Sequence, residues 1–304
     1  MRLKAIIITL AFLFALAAPA HAEKNIVFVS IPPQKYFVEK IGQDLVDVHI
    51  MVSPGQNPHS YEPKPSQMTA VAKARAFFAI GVPFEKTWLP KFAALNPNLA
   101  IFHTDEGIKK IAMTAHHHDH EHEDHEPGHE HEKPEVEGDH DHAELDPHIW
   151  TSPVQVRNIA RNTLNGLVKI DPAHETEYQK GYEAFLRELD SLDAELRKIL
   201  KNQQGKAFMV YHPAWGYLAR DYGLVQEPIE LEGKAPKPAQ LAAVVDLARR
   251  LGVKVIFVQP QMSSRDAEVI AREIGGQVIK ADPLAEDWAG NIKEQAAKFE
   301  AALR

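Results

Sequence analysis

Between Asp171 and Gly205 the chain places Tyr178, Tyr182, Phe185, Leu189, Leu192, Leu196 and Ile199 at spacings of three and four. That period puts all seven on one face of a helix. Asp171-Pro172 offers an N-cap with proline at the first helical position, and Gly205 can end the run. A helix reaching to about residue 203 would be roughly 45 Å long at 1.5 Å per residue. One globular lobe is scarcely that wide. The sequence therefore predicts a helix that lies alongside two lobes and resists hinge bending between them.

On both sides of this segment, short apolar runs alternate with amphipathic ones. The first side reads as strands over 25–31, 47–52, 76–80 and 99–102, with helices over 34–41, 64–74, 84–95 and 153–168. The second reads as strands over 207–211, 224–229, 253–258 and 277–280, with helices over 214–221, 238–251, 264–274 and 288–303. Strands separated by helices predict an α/β fold: two lobes, each a mostly parallel sheet flanked by helices, joined by one long helix. The expected division is 23–170 for the first lobe, 171–204 for the linking helix and 205–304 for the second.

Arg2 and Lys4 precede an apolar run over 5–18, followed by the A-x-A pattern Ala20-His21-Ala22. This is the layout of a secretory signal peptide (1–22), cleaved after Ala22. The run is shorter than the ~20 residues of a spanning helix. No cysteine follows it to carry a lipid, and no later stretch is long enough to span a bilayer, so a soluble exported protein is expected. With no cysteine anywhere, a metal site must be built from His, Asp or Glu.

The net charge of −8 is concentrated in one place: residues 116–144 hold twelve acids and a single Lys. The rest of the mature chain is close to neutral and has no basic patch, so no nucleic acid partner is expected. The acidic stretch lacks apolar periodicity and reads as a mobile loop. Ten of the seventeen histidines lie in it: His116, His117, His118, His120, His122, His125, His129, His131, His140 and His142. Binding there must also order a flexible chain, so several weak secondary metal sites are expected.

Outside the loop, His21 leaves with the signal peptide, and His49, His103 and His174 read as ordinary strand and helix-end residues. Three others stand where a site would be built. His59 lies in SPGQNPHSYEPKP, His148 in DPHIW and His212 in YHPAW. His59 and His212 follow predicted strands, and parallel sheets bind ligands outside the carboxyl ends of their strands. Asp282, in KADPLAEDW, obeys the same rule. Two or three imidazoles with a carboxylate or water make a tetrahedral zinc site. Pro58, Pro147 and Pro213 stiffen the loops. The four tryptophans, Trp88, Trp150, Trp215 and Trp288, read as core or pocket walls.

An enzyme is not expected. His125-Glu126-Pro127-Gly128-His129 matches H-E-x-x-H, but Pro127 and Gly128 break the helix that this motif needs. No GxSxG, P-loop or GxGxxG sequence is present, and nothing supplies a positioned base or nucleophile. A metal buffer or adhesin would explain the loop, but not the separate histidine motifs in both halves.

Three segments, SPGQNPHSYEPKPSQM, DPHIW and YHPAWGYLARDYGL, resemble the metal-binding motifs of periplasmic zinc- and manganese-binding proteins of ABC transporters. The resemblance covers essentially the whole mature chain. It implies a periplasmic, monomeric receptor that delivers its metal to a membrane permease. It implies His59, His148 and His212 as ligands, with Asp282 at the position of the family's C-terminal-lobe aspartate. Some zinc-type members carry Glu just before the first ligand histidine; here that residue is Pro58. Manganese members typically use a glutamate as third ligand, where this chain has His212. Three nitrogens suit Zn²⁺ better than the oxygen-preferring Mn²⁺, so Zn²⁺ is expected and Mn²⁺ or another divalent ion is the alternative.

Overall fold

The computed structural model describes residues 24–113, 145–230 and 235–304. The signal peptide reading and the ten-histidine stretch, with the weak sites expected in it, lie outside these residues.

The first half runs β1 (Asn25–Val29), α1 (Pro32–Gly42), β2 (Val46–Ile50), α2 (Pro65–Val71), β3 (Ala76–Ala79), α3 (Pro83–Leu95), β4 (Ala100–His103) and α4 (Pro153–Ile170). Then comes the long helix α5 (Glu175–Leu200). The second half runs β5 (Ala207–Val210), α6 (Gly216–Tyr222), β6 (Val225–Pro228), α7 (Pro238–Arg250), β7 (Val255–Val258), α8 (Arg265–Glu273), β8 (Gln277–Lys280) and α9 (Trp288–Ala302). Each expected strand and helix is present.

The two sheets have strand orders β2-β1-β3-β4 and β6-β5-β7-β8, and every pairing is parallel. Sheets of this kind are covered by helices on both faces, so their inner strands read as unbroken apolar runs. The fully buried β3 (AFFA) and β7 (VIFV) are such strands. In both halves the order reverses beside the first strand, which opens a crevice at the carboxyl ends of its neighbours.

The long helix begins at Glu175 and not at Asp171, behind a short 3₁₀ turn over Pro172–His174. Asp171 caps nothing with its side chain. Its Oδ2 instead accepts hydrogen bonds from Asn25 at 2.9 Å and from His174 and Tyr178 at 2.8 Å, tying the turn to β1. With 26 residues, α5 spans about 39 Å. Its buried stripe is Tyr178, Gly181, Phe185, Leu189, Leu192, Leu196 and Leu200. At Gly181 the helix meets α1 so closely that a Cβ would stand 2.4 Å from the Ile41 carbonyl oxygen.

The core explains how the halves are joined. One continuous cluster contains Phe28 and Phe77 of the first sheet, Phe208 and Phe257 of the second, Phe185 and Leu189 of α5, and Trp288 and Phe299 of α9. The opposite face of the second sheet, with Met209 and Ile256, packs into a smaller cluster under α7 and α8. At the joint, the Trp288 ring meets Phe37 edge-on, with centroids 5.0 Å apart, and Tyr36 at 5.9 Å. Its indole N–H donates to the Trp150 carbonyl at 2.7 Å, and the Trp150 indole donates to the Pro283 carbonyl, also at 2.7 Å. Lys35 of α1 pairs with Glu286 across the same seam. Among the described residues no helix is long and apolar enough to cross a membrane.

Candidate metal centre

The loop after β2 carries His59. Its backbone N–H donates to Asn57 Oδ1 at 2.9 Å, an Asx turn that sets the direction of the chain. His148 opens the 3₁₀ turn Ile149–Thr151 that leads into α4. Asp146 accepts from its backbone N–H at 2.8 Å and from its ring Nδ1 at 2.7 Å. His212 follows β5. Its ring Nδ1 donates to Glu230, just beyond β6, at 2.8 Å. Gln259, just beyond β7, holds the His212 backbone from both sides: its amide donates to the His212 carbonyl at 2.7 Å, and its oxygen accepts from the His212 N–H at 3.4 Å.

One nitrogen from each of His59, His148 and His212 lies within 4.8 Å of the others. In His148 and His212 the Nδ1–H donates to a carboxylate, so in the neutral ring each Nε2 presents a bare lone pair. These two atoms are 3.3 Å apart. Two lone pairs at that distance repel each other unless something positive lies between them. Zn–N bonds of 2.0–2.1 Å at a tetrahedral angle put neighbouring nitrogens about 3.3–3.4 Å apart. The pair is therefore spaced as a shared zinc ion would hold it.

Electrostatics agree. Burial pushes the His148 pKa down against the opposing pull of Asp146. His59 is exposed at the rim by surface area, but partial desolvation of its ring and then the two neighbouring imidazoles push it down from its ordinary 6.5 to about 3. Rings kept neutral are the form that ligates metal. The cavity at the cluster is about 30 Å³, enough for one small ion or water, and most of its wall is apolar, including Pro58, Pro147, Trp150 and Leu284.

Asp282 is not brought into the cluster. Its Oδ1 accepts from Gln261 Nε2 at 2.8 Å and from the Leu284 N–H at 2.9 Å, so the carboxylate ties down its own loop and a neighbouring amide. Nor does it cap α9, which Asp287 caps. His49 stacks on Phe28, with centroids 5.2 Å apart, and His174 serves Asp171. His103 is exposed at the end of β4. The residues missed from sequence are Asp146, Glu230 and Gln259. Glu230 and Gln259 follow predicted strands, so the carboxyl-end rule marks their positions without saying what they touch, whereas the one signal for Asp146 is its place two residues before His148 in DPHIW.

Buried carboxylates behind metal-binding histidines typically contribute 10–100-fold to metal affinity. Asp146→Ala and Glu230→Ala are each expected to weaken Zn²⁺ binding by about that factor, as read by competition with a chromogenic chelator. Glu230→Gln, whose amide oxygen can still accept from Nδ1, should lose less. Equal affinities across this series would show that the carboxylates do not orient the rings.

Two parallel α/β lobes with three imidazoles converging at one small cavity have the layout of a solute receptor for a divalent metal ion. Residues 27–302 match the family described as ZnuA, zinc-uptake complex component A, periplasmic. The chain is 31% identical over 265 residues to the high-affinity zinc uptake system protein ZnuA of Bacillus subtilis (strain 168), covering 86% of this chain and 79% of that one. A crystal structure of ZnuA superposes with a TM-score of 0.82 at 38% identity, covering 93% of this chain and all of the other. A zinc-bound deletion mutant of ZnuA gives 0.80, also at 38% identity, covering 92% of this chain and 98% of the other. The chain belongs to the ZnuA family of zinc-binding receptors of ABC transporters. It is thus a binding protein for Zn²⁺ and not an enzyme.

Proposed function

We propose that this chain captures one Zn²⁺ with high affinity through His59, His148 and His212 in the periplasm, and delivers it to a membrane permease for import. The observation that carries this reading is the pair of carboxylate-anchored imidazoles with bare Nε2 atoms 3.3 Å apart, and a third imidazole beside them. Three nitrogens leave one tetrahedral position for water. The ten histidines between 116 and 142 then act as weaker sites that collect zinc for the tight one. In this reading residues 1–22 are an export signal, 23–170 and 205–304 are the lobes, 171–204 link them, and the receptor works as a monomer.

Titration calorimetry on intact protein and on protein lacking 116–142 tests the assignment. The intact protein should show one tight zinc-binding event followed by weaker ones, and the deletion should remove only the weaker ones. Loss of the tight event on deletion would move the main site into the histidine-rich segment and make the protein a buffer.

A further inference from the structure

The second sheet places a polar residue just beyond each of its strands, on the side of the three histidines: His212 after β5, Glu230 after β6, Gln259 and Gln261 after β7, and Asp282 after β8. Four of these five have their work assigned. Gln261 does not. It lines the cavity at the three histidines. Its Nε2 donates to Asp282 at 2.8 Å. Because a carboxylate can only accept there, the amide nitrogen must face Asp282 and the amide oxygen must face away from it. That oxygen is buried and has no hydrogen-bond partner. A buried acceptor left unmatched is costly, and most in native proteins find a partner or an ordered water. The other amide of the second sheet at this cavity, Gln259, spends both its ends on the His212 backbone.

We propose that Gln261, aimed by Asp282, receives the hydrogen bond of the water that fills the fourth position on the bound zinc, and so selects ions that take three nitrogens and one water. The inference rests on the three-histidine reading above. Asp282 then acts one step behind the metal as a positioning residue, through the Gln261 amide. A neutral amide oxygen suits this place: it accepts from a metal-bound water without offering the charged oxygen ligand that Mn²⁺ favours.

Chelator competition and the absorption spectrum of the Co²⁺-loaded protein test the inference. Gln261→Ala should weaken Zn²⁺ binding about 10–100-fold, the usual cost of an outer-sphere partner, and should shift the Co²⁺ bands. Asp282→Ala should do the same to a similar extent, whereas Asp282→Asn, which still accepts from the amide, should keep most of the affinity. The double variant Gln261→Ala/Asp282→Ala should bind no more weakly than Gln261→Ala alone. Gln261→Glu should raise affinity for Mn²⁺ relative to Zn²⁺. Thermal melts of the zinc-free variants check that each is folded.

The inference is overturned if folded Gln261→Ala matches wild type in affinity and spectrum. It is equally overturned if Asp282→Ala costs as much as losing a histidine and adds to Gln261→Ala, which would make Asp282 a direct ligand. A His148→Ala control separates the two levels. If that control still binds zinc, the three-histidine reading fails. If it loses zinc while the Gln261 variants behave as wild type, only this inference fails.

Discussion

His212→Ala and His148→Ala should each lower Zn²⁺ affinity by more than about a hundredfold, because losing only the outer carboxylate behind a ligand costs 10–100-fold. Each change removes a nitrogen whose direction is fixed before the metal arrives. Each also strands a buried carboxylate: Glu230 is 5% exposed and Asp146 is 2% exposed. An unpaired charge in such a place opposes folding as well as binding. His59→Ala should cost less than either, since among the described residues no carboxylate holds its ring and the residue lies at the rim. Chelator competition measures the order, and receptor-dependent zinc uptake by cells should fall in step with it. Wild-type affinity in any of the three variants would remove that histidine from the coordination sphere.

Trp288→Ala should produce the largest loss of stability. Burying and then deleting an indole in a packed core typically costs 3–5 kcal/mol. Trp288 is 1% exposed and packs on Tyr36, Phe37 and Phe185. Its removal also leaves the Trp150 carbonyl without its donor. For a chain of this size the melting temperature of the zinc-free protein should fall by roughly 10 °C. A fall of less than about 2 °C would mean that the seam between the halves does not depend on this residue.

Much of the fold was legible because parallel α/β architecture writes itself in local pattern. Fully apolar strands such as AFFA and VIFV, flanked by helices with a three-and-four period, leave little choice of class. Placement was harder wherever a polar side chain could serve two neighbours. Asp171-Pro172 has the composition of a helix start, yet the carboxylate is drawn to Asn25, far away in sequence, and the helix starts later. Asp282 follows a strand as a ligand would, but sequence does not say whether a carboxylate points at the ion or at the amide beside it. Singly, each of the three histidines reads as an ordinary loop residue; that they converge was legible from three separated, proline-flanked motifs taken together. Their partners were not, since Glu230 meets His212 only when β5 and β6 lie side by side, and Gln261 matters only through the atom it leaves unpaired.

His148 and Trp150 belong to the same short turn, so one short stretch of chain serves both the three-histidine cluster, through the His148 ring, and the seam between the sheets, through the Trp150 carbonyl. Only Ile149 separates His148 from the residue whose carbonyl receives the Trp288 indole. Reciprocity fixes the size of the effect: if zinc holds the seam closed by some factor, then a partner that binds only the opened seam must weaken zinc by that same factor.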